Sequence, residues 1–156
     1  MKFIAVPLVA FVALAVSANA ERVVKVSDGD TIIVLDASCV QTRVRLWAID
    51  APEKKQPYGE ASRRHLAEKI AGKEVRLEPH GRDRYGRLLA VVWLGDENEN
   101  LAQVRDGFAW HYVQFAKKAY EYAEAEKAAR EKRAGLWNDA SPVPPWVYRR
   151  RSSKKP

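Results

Sequence analysis

Five charged side chains in this sequence have the chemistry that phosphodiester hydrolysis needs. They are Asp30, Arg45, Asp50, Glu53 and Arg87. Carboxylate oxygens bind hard divalent cations, whereas guanidinium groups make forked, charge-assisted hydrogen bonds to phosphate oxygens. A carboxylate that binds no metal can orient or deprotonate an attacking water. The set therefore predicts metal-assisted hydrolysis.

Each of these residues also has a plain structural interpretation when it is taken alone. Asp30 suits a turn, and Glu53 lies in a charged loop. The two arginines suit solvated strand edges. The combination favours catalysis, because three carboxylates beside two arginines would repel a phosphate unless a cation balanced them. The oxygens predicted to hold that cation belong to Asp30, Asp50 and the backbone of Ala51.

The elements that must position these residues are mainly strands in the first half of the chain. Strand patterns cover residues 21–27, 31–35, 42–49, 74–78 and 88–94, and helical patterns cover residues 59–70, 100–106 and 119–134. Asp28-Gly29-Asp30 between two strand patterns predicts a hairpin. Strict alternation would place Arg45 and Asp50 on opposite faces of one strand, so we expect a bulge or bend near Ala48 to realign them.

The N-terminus has the pattern of a secretory signal peptide, residues 1–20. Lys2 precedes an apolar run over residues 3–16, and Ala18-Asn19-Ala20 suits a cleavage site. We expect cleavage after Ala20 and a secreted or periplasmic protein, with an uncleaved N-terminal anchor as the alternative. The apolar run is shorter than the ~20 residues that a membrane-spanning helix needs, so no stable membrane association is expected after cleavage.

Composition favours one folded, basic domain. The 156 residues include 27 Lys and Arg against 20 Asp and Glu, a net charge of +7 that falls to +6 when Lys2 leaves with the signal peptide. The hydrophobic fraction of 47% supplies enough apolar surface for a core. Cys39 is the single cysteine, which excludes an internal disulfide, and we expect it to be an inert, half-buried strand residue. The three histidines lack zinc-ligand spacing and are expected to pack or face solvent.

The C-terminal residues 139–156 form a proline-rich and basic tail. Prolines at positions 142, 144 and 145 are expected to end regular structure, and the runs Arg149-Arg150-Arg151 and Lys154-Lys155 follow them. Runs of like charge are usually solvated. We therefore expect a mobile tail, with weak contact to nucleic acid as its secondary use.

Five short motifs occur in a characteristic order along the chain. They are Asp28-Gly29-Asp30-Thr31, Arg45-Leu46-Trp47-Ala48-Ile49-Asp50-Ala51-Pro52-Glu53, Tyr58-Gly59-Glu60-Ala61, Asp83-Arg84-Tyr85-Gly86-Arg87 and Gly107-Phe108-Ala109-Trp110. In this order they resemble the staphylococcal nuclease, or thermonuclease, family of secreted calcium-dependent nucleases. The resemblance implies an α+β, mainly β domain over residues 21–138, built as a five-stranded OB-fold barrel with three helices.

The resemblance also implies a role for each charged residue. Asp30, Asp50 and the Ala51 carbonyl would hold Ca²⁺, Arg45 and Arg87 would stabilise the phosphorane-like transition state, and Glu53 would activate water. The implied activity is cleavage of DNA and RNA at the 5′ P–O bond, which leaves 3′-phosphate ends. Single-stranded or unpaired regions are the expected substrates, and nothing in the sequence demands more than a monomer.

Contacts to the nucleic acid are expected from a second group of residues. Arg84 and Tyr85 match the basic and aromatic phosphate contacts of the family, although turn formation is the structural alternative for Tyr85. Tyr112 is the candidate for stacking on a terminal nucleotide. The chain departs from the founding enzyme in two places, because the loop after Glu53 is shorter and the aromatic pair of Tyr112 and Phe115 has altered spacing.

Two other functions are compatible with the basic composition. A catalytically silent OB-fold module would bind nucleic acid with the same surface, but its signature would be loss of Glu53, Arg87 or the acidic pair, and none of these is lost. A cationic protein directed at anionic envelope polymers is motivated by net charge alone. The sequence therefore favours a nuclease.

Overall fold

The computed structural model describes residues 20–153, which build a closed barrel. Its strands are β1 (Ala20–Asp28), β2 (Thr31–Leu35), β3 (Gln41–Leu46), β4 (Ile49–Asp50), β5 (Glu74–Arg82), β6 (Leu88–Leu94), β7 (Glu97–Asn98) and β8 (Trp110–His111). The barrel follows the order β3-β2-β1-β5-β6, and parallel pairing of β3 with β6 closes it. The prediction of a mainly β, five-stranded OB-fold barrel is confirmed.

Four α-helices accompany the strands in the described part of the chain. They are α1 (Gly59–Ile70), α2 (Glu99–Arg105), α3 (Tyr120–Glu131) and α4 (Pro145–Ser152). The first three agree with the predicted helices apart from their ends. Helix α3 is shorter than predicted, since Arg133 adopts a left-handed backbone with a φ of 51°. The fourth helix was not predicted.

The predicted hairpin joins β1 to β2 through a two-residue turn at Gly29 and Asp30. Asp28 pairs with Thr31 at the end of the ladder, and its side chain accepts a hydrogen bond of 3.1 Å from the Asp30 amide. A Cβ at Gly29 would collide with the side chain of Ser62 on α1. Only glycine therefore allows the turn to pack against α1, and this packing fixes the position of the adjacent Asp30.

The strand predicted over residues 42–49 is broken by the expected bend. Strand β3 ends at Leu46, residues 47–48 form a turn in which Ala48 has a φ of 66°, and β4 follows. The buried side chain of Asn100 holds this turn by donating to the carbonyls of Trp47 at 2.9 Å and Ala90 at 3.0 Å. The bend frees Asp50 from the strict alternation of β3.

Two hydrophobic clusters support the described elements. The larger fills the barrel with Val23, Ile32, Val34, Val44, Leu46, Ala90 and Val92, and the smaller contains Trp110, Ala129, Leu136 and Trp137. The histidines pack as expected, since His65 and His80 stack on Phe108 and Trp47 and His111 is buried. The barrel thus has its own core, and the smaller cluster packs β8 against α3.

The expectation of a mobile tail is wrong for residues 145–152. Pro145 occupies the first turn of α4, where its missing N–H costs nothing and its fixed φ favours the helix. Tyr148 then donates a hydrogen bond of 3.2 Å to the Lys55 carbonyl, and Gln56 donates one of 2.5 Å to the Val143 carbonyl. The proline that was expected to end regular structure therefore starts a helix that docks on the protein.

Cys39 also differs from its expected position. It is exposed in the loop between β2 and β3. The side chain of Asp36 accepts hydrogen bonds from the amides of Ser38 at 2.8 Å and Val40 at 2.9 Å. This local loop ends the strand before Cys39, which has a φ of 61°.

The predicted signal peptide, residues 1–20, lies outside the described residues apart from Ala20. Lys154 and Lys155 of the predicted basic tail lie outside them as well. Between residues 20 and 153, no helix has the length and apolar character needed to cross a bilayer.

Candidate active site

Two buried carboxylates meet on a single guanidinium group. Arg45 donates through Nη1 to Asp30 Oδ2 at 2.8 Å and through Nη2 to Asp50 Oδ1 at 2.9 Å. The side chains of Asp30 and Asp50 are 8% and 1% exposed, and that of Arg45 is 13% exposed. The structure therefore brings together three of the predicted residues, which are 15 and 5 positions apart in the sequence.

The barrel ladder and the bend explain this meeting. Thr31 pairs with Arg45 across β2 and β3, so the hairpin turn lies beside the arginine. The Asp30 carbonyl accepts from the Leu46 amide at 2.8 Å, and its Oδ2 accepts from the Ala51 amide at 2.6 Å. Asp30 thus connects the end of β3 to the residue after β4.

Burial makes the negative charge of this pair costly. It raises the pKa of Asp30 to about 7, although the nearby Arg45 opposes the shift. Burial also raises the pKa of Asp50, against a hydrogen bond from Arg149 that lowers it. Two carboxyl groups whose pKa values are raised by desolvation favour either a proton or an added cation. A proton or a bound cation near Asp30 and Asp50 would therefore lower the electrostatic cost of burying their charges.

Glu53 lies at the rim of the same site in a compact loop. Its amide donates to the Gln56 side chain at 3.1 Å, and its carbonyl accepts from the Gln56 amide at 2.8 Å. A Cβ at Gly59 would collide with the Glu53 carbonyl, so α1 must start with glycine here. The short loop after Glu53 is thus tied down, while the carboxylate remains 39% exposed and accessible to water.

Arg149 is the site residue that the sequence reasoning missed. Its guanidinium donates to both Asp50 oxygens, through Nη2 at 2.7 Å and Nη1 at 3.1 Å, and to Glu53 Oε1 at 2.7 Å. It lies on α4, 99 positions after Asp50. The available signal was Pro145 at a helix start, followed by aromatic residues and a run of arginines.

No hydrogen bond or ion pair joins Arg87 to this cluster within residues 20–153. Arg87 immediately precedes β6. It lies two residues before Leu89, which pairs with Arg45 in the parallel ladder of β3 and β6. Its guanidinium instead donates to Asp83 Oδ2 at 2.7 Å. The Asp83 carboxylate therefore holds Arg87 in the turn just before β6.

The predicted nucleic-acid contacts fall into two places. The 69% exposed Tyr85 ring lies under Arg84 at 4.8 Å and 5.6 Å from the Arg87 guanidinium. Tyr112 lies near the bend, where its amide donates to the Ala48 carbonyl. Its ring is 5.7 Å from Trp146 on α4. Arg84 and Tyr85 are thus exposed beside Arg87, whereas Tyr112 is next to the unpredicted helix.

A family model described as staphylococcal nuclease homologue matches residues 43–139, more than half of the chain. The chain belongs to the staphylococcal nuclease family. The matched segment begins within β3 and ends after α3, and it contains Arg45, Asp50, Glu53 and Arg87. The resemblance carried by the ordered motifs is therefore confirmed.

Several curated relatives align with this chain over most of its length. A protein named uncharacterized endonuclease from Haemophilus influenzae is 44% identical over 132 residues, which are 85% of this chain and 74% of the relative. One with the same name from Escherichia coli O157:H7 is 47% identical over 83% of this chain and 84% of its own length. A micrococcal nuclease from Shigella flexneri is 41% identical over 84% of this chain and 80% of its own. The predicted enzyme class, a phosphodiester hydrolase, agrees with these names.

The donor set fits the calcium that this nuclease family implies. Asp30, Asp50 and the Ala51 carbonyl would supply oxygen ligands, which a hard cation prefers. Within residues 20–153, no group of three Asp, Glu, His or Cys side chains forms a metal cluster. The site thus offers two carboxylates rather than a dense acidic cage, and burial raises the pKa of both, an effect that a bound cation would oppose.

Proposed function

We propose that this member of the staphylococcal nuclease family is a secreted, Ca²⁺-dependent endonuclease that hydrolyses DNA and RNA to 3′-phosphate products. The observation that carries the proposal is the convergence of two buried carboxylates on one guanidinium, with Glu53 at the rim. The relatives named endonuclease and micrococcal nuclease support the same reaction class.

The residues divide into three roles. Asp30, Asp50 and the Ala51 carbonyl hold the cation, which supplies positive charge beside the scissile phosphate. Arg45 and Arg87 bind the phosphate oxygens and stabilise charge that develops in the transition state. Glu53 orients the attacking water or accepts its proton, consistent with its exposed carboxylate.

Substrate recognition follows from charge and exposure. The net charge of the cleaved protein, +6, attracts a polyanion, and the exposed Arg84 and Tyr85 lie beside Arg87, where they contact phosphate and base. Tyr112 is the second aromatic contact. We propose a monomer that acts on single-stranded or unpaired regions, after cleavage behind Ala20 and export.

The decisive experiment is digestion of single-stranded DNA and of RNA by the purified protein, first with Ca²⁺ and then with a chelator. Glu53→Gln is expected to lose about 10²- to 10³-fold in rate. Glu60→Gln is the matched control, because Glu60 is an exposed glutamate that pairs with Arg63 on α1. Product ends that a polymerase extends only after phosphatase treatment would identify 3′-phosphates.

The other results of this experiment separate the alternatives. Cleavage that persists under chelation would remove the metal from the proposal. Binding of DNA without cleavage in excess Ca²⁺ would favour the catalytically silent module. Mass spectrometry of protein recovered from outside the cytoplasm tests the predicted cleavage after Ala20.

A further inference from the structure

We propose that α4 is a latch whose Arg149 holds the cation position of the active site, so that Ca²⁺ must displace it to bind productively. The proposal rests on the calcium site proposed above and adds a regulatory element to it. Its basis is the geometry of one guanidinium that bridges Asp50 and Glu53.

Arg149 engages the groups that a bound cation would use. Both Asp50 oxygens accept from it, and Asp50 Oδ1 also accepts from Arg45. A cation that approaches Asp50 therefore competes directly with the Arg149 guanidinium. Glu53 is engaged by the same Arg149 donor, so the latch also occupies the carboxylate assigned to water activation.

Charge balance favours release of Arg149 when a cation enters. Three carboxylates, those of Asp30, Asp50 and Glu53, face the guanidiniums of Arg45 and Arg149. A divalent cation added to this arrangement would leave net positive charge in a partly buried site. Withdrawal of Arg149 would leave the cluster formally neutral, which is the less costly arrangement.

Helix α4 packs against the smaller hydrophobic cluster, and its residues are not part of the barrel core. The Arg149 side chain is 43% exposed whereas its partner Asp50 is 1% exposed, so the guanidinium reaches the buried carboxylate from the solvent side and can withdraw into solvent. The other anchors of α4 are the Tyr148 hydrogen bond to the Lys55 carbonyl, the buried Pro145, and Trp146, which packs against the smaller hydrophobic cluster and lies near Tyr112. Tyr148 and Trp146 join α4 to the loop after Glu53 and to the smaller hydrophobic cluster rather than to the barrel core, so the helix can open without unfolding the barrel.

The latch also covers a predicted substrate contact. Trp146 lies 5.7 Å from Tyr112, the residue proposed to stack on a nucleotide. When α4 is seated, its residues therefore face both the catalytic carboxylates and this aromatic ring. Opening by the cation would expose both together, which couples metal binding to substrate access.

The test compares Ca²⁺ affinity by isothermal titration calorimetry in the absence of nucleic acid. Arg149→Gln is expected to bind Ca²⁺ about 10- to 100-fold more tightly than the parent, since a bidentate charge-assisted contact no longer opposes binding. Arg150→Gln removes the same charge one residue along from an exposed position, and it is expected to leave the affinity within about 2-fold.

A second variant loosens the latch without a change of charge. Tyr148→Phe removes only the hydrogen bond to Lys55, and it is expected to tighten Ca²⁺ binding about 2- to 10-fold. Hydrogen exchange followed by mass spectrometry provides a direct readout of the helix. In the parent, amides of residues 146–153 are expected to exchange faster when Ca²⁺ is added.

The outcomes distinguish failure of the latch from failure of the calcium site. Absence of Ca²⁺ binding in both the parent and Arg149→Gln would overturn both proposals. Equal affinities, equal tightening by Arg150→Gln, or unchanged exchange of α4 would overturn the latch alone. Equal affinities with a lower kcat at saturating Ca²⁺ would instead identify Arg149 as a phosphate-binding residue.

Discussion

Replacement of Arg45 by glutamine is expected to destabilise the cation-free protein strongly. The guanidinium contacts Asp30 at 2.8 Å and Asp50 at 2.9 Å, and both carboxylates are less than a tenth exposed. Removal of one partner from a buried ion pair costs about 3–5 kcal/mol. We expect the lower end, because Arg149 still pairs with Asp50. For a domain of this size the loss corresponds to a fall in Tm of about 10 °C.

The same variant separates stability from catalysis. Added Ca²⁺ is expected to restore much of its Tm, because the cation replaces the lost positive charge between the carboxylates. The rate of DNA cleavage should nevertheless stay about 10²- to 10³-fold below the parent, since the guanidinium that binds phosphate is missing. Scanning calorimetry and initial rates, each with Ca²⁺ and with a chelator, measure both effects.

Arg43→Gln is the matched control for this experiment. Arg43 lies on the same strand, β3, but its side chain is exposed on the outside of the barrel. If Arg45→Gln lowers the Tm no more than Arg43→Gln does, Arg45 does not neutralise the buried carboxylates. A Tm that Ca²⁺ leaves unchanged would show that the cation does not bind between them.

Three further predictions address the neighbouring residues. Arg87→Ala is expected to lose about 10²- to 10³-fold in kcat with little change in Tm, and cleavage at the parent's rate would refute its assigned role. The metal-free unfolding free energy should fall by up to about 4 kcal/mol between about pH 4 and pH 7, because folded Asp30 keeps its proton to about 7 while the unfolded residue loses it near 3.8. Urea titrations should show that Asp30→Asn flattens this slope, and a rise with pH would contradict the shift. Asn100→Ala should cost about 3 kcal/mol or more, since one amide and two carbonyls lose a buried partner; an unchanged urea midpoint would show that the bend does not need it.

The features that could be predicted from the sequence carry their signal locally. The Asp-Gly turn with β-branched flanks determines the first hairpin. The helical spacing after Gly59 gives α1 within its observed limits, Gly59–Ile70. The bend at Ala48 could be expected because Arg45 and Asp50 must share a face, which is a constraint from chemistry rather than from propensity.

The missed features depend on contacts between distant parts of the chain. A run of arginines after several prolines reads as a solvated tail, because sequence patterns do not show that Asp50 and Glu53 lie within reach of Arg149. Pro145 has opposite meanings at a helix start and in a helix interior, and the local sequence does not separate them. The ion pair between Arg87 and Asp83 is local, but its effect on the position of Arg87 needs the parallel pairing of β3 with β6.

The two-residue ladder between β4 and β8 connects the smaller hydrophobic cluster to the proposed cation site. Asp50 pairs with Trp110, whose ring packs edge-on against Trp137 at a centroid distance of 5.1 Å. The backbone of Asp50, a proposed cation ligand, is thereby attached to aromatic packing that belongs to another part of the molecule. Mild heating that loosens the packing of these two indoles is expected to abolish activity while the barrel still gives a native circular dichroism spectrum. Loss of activity should therefore occur at a lower temperature than global unfolding.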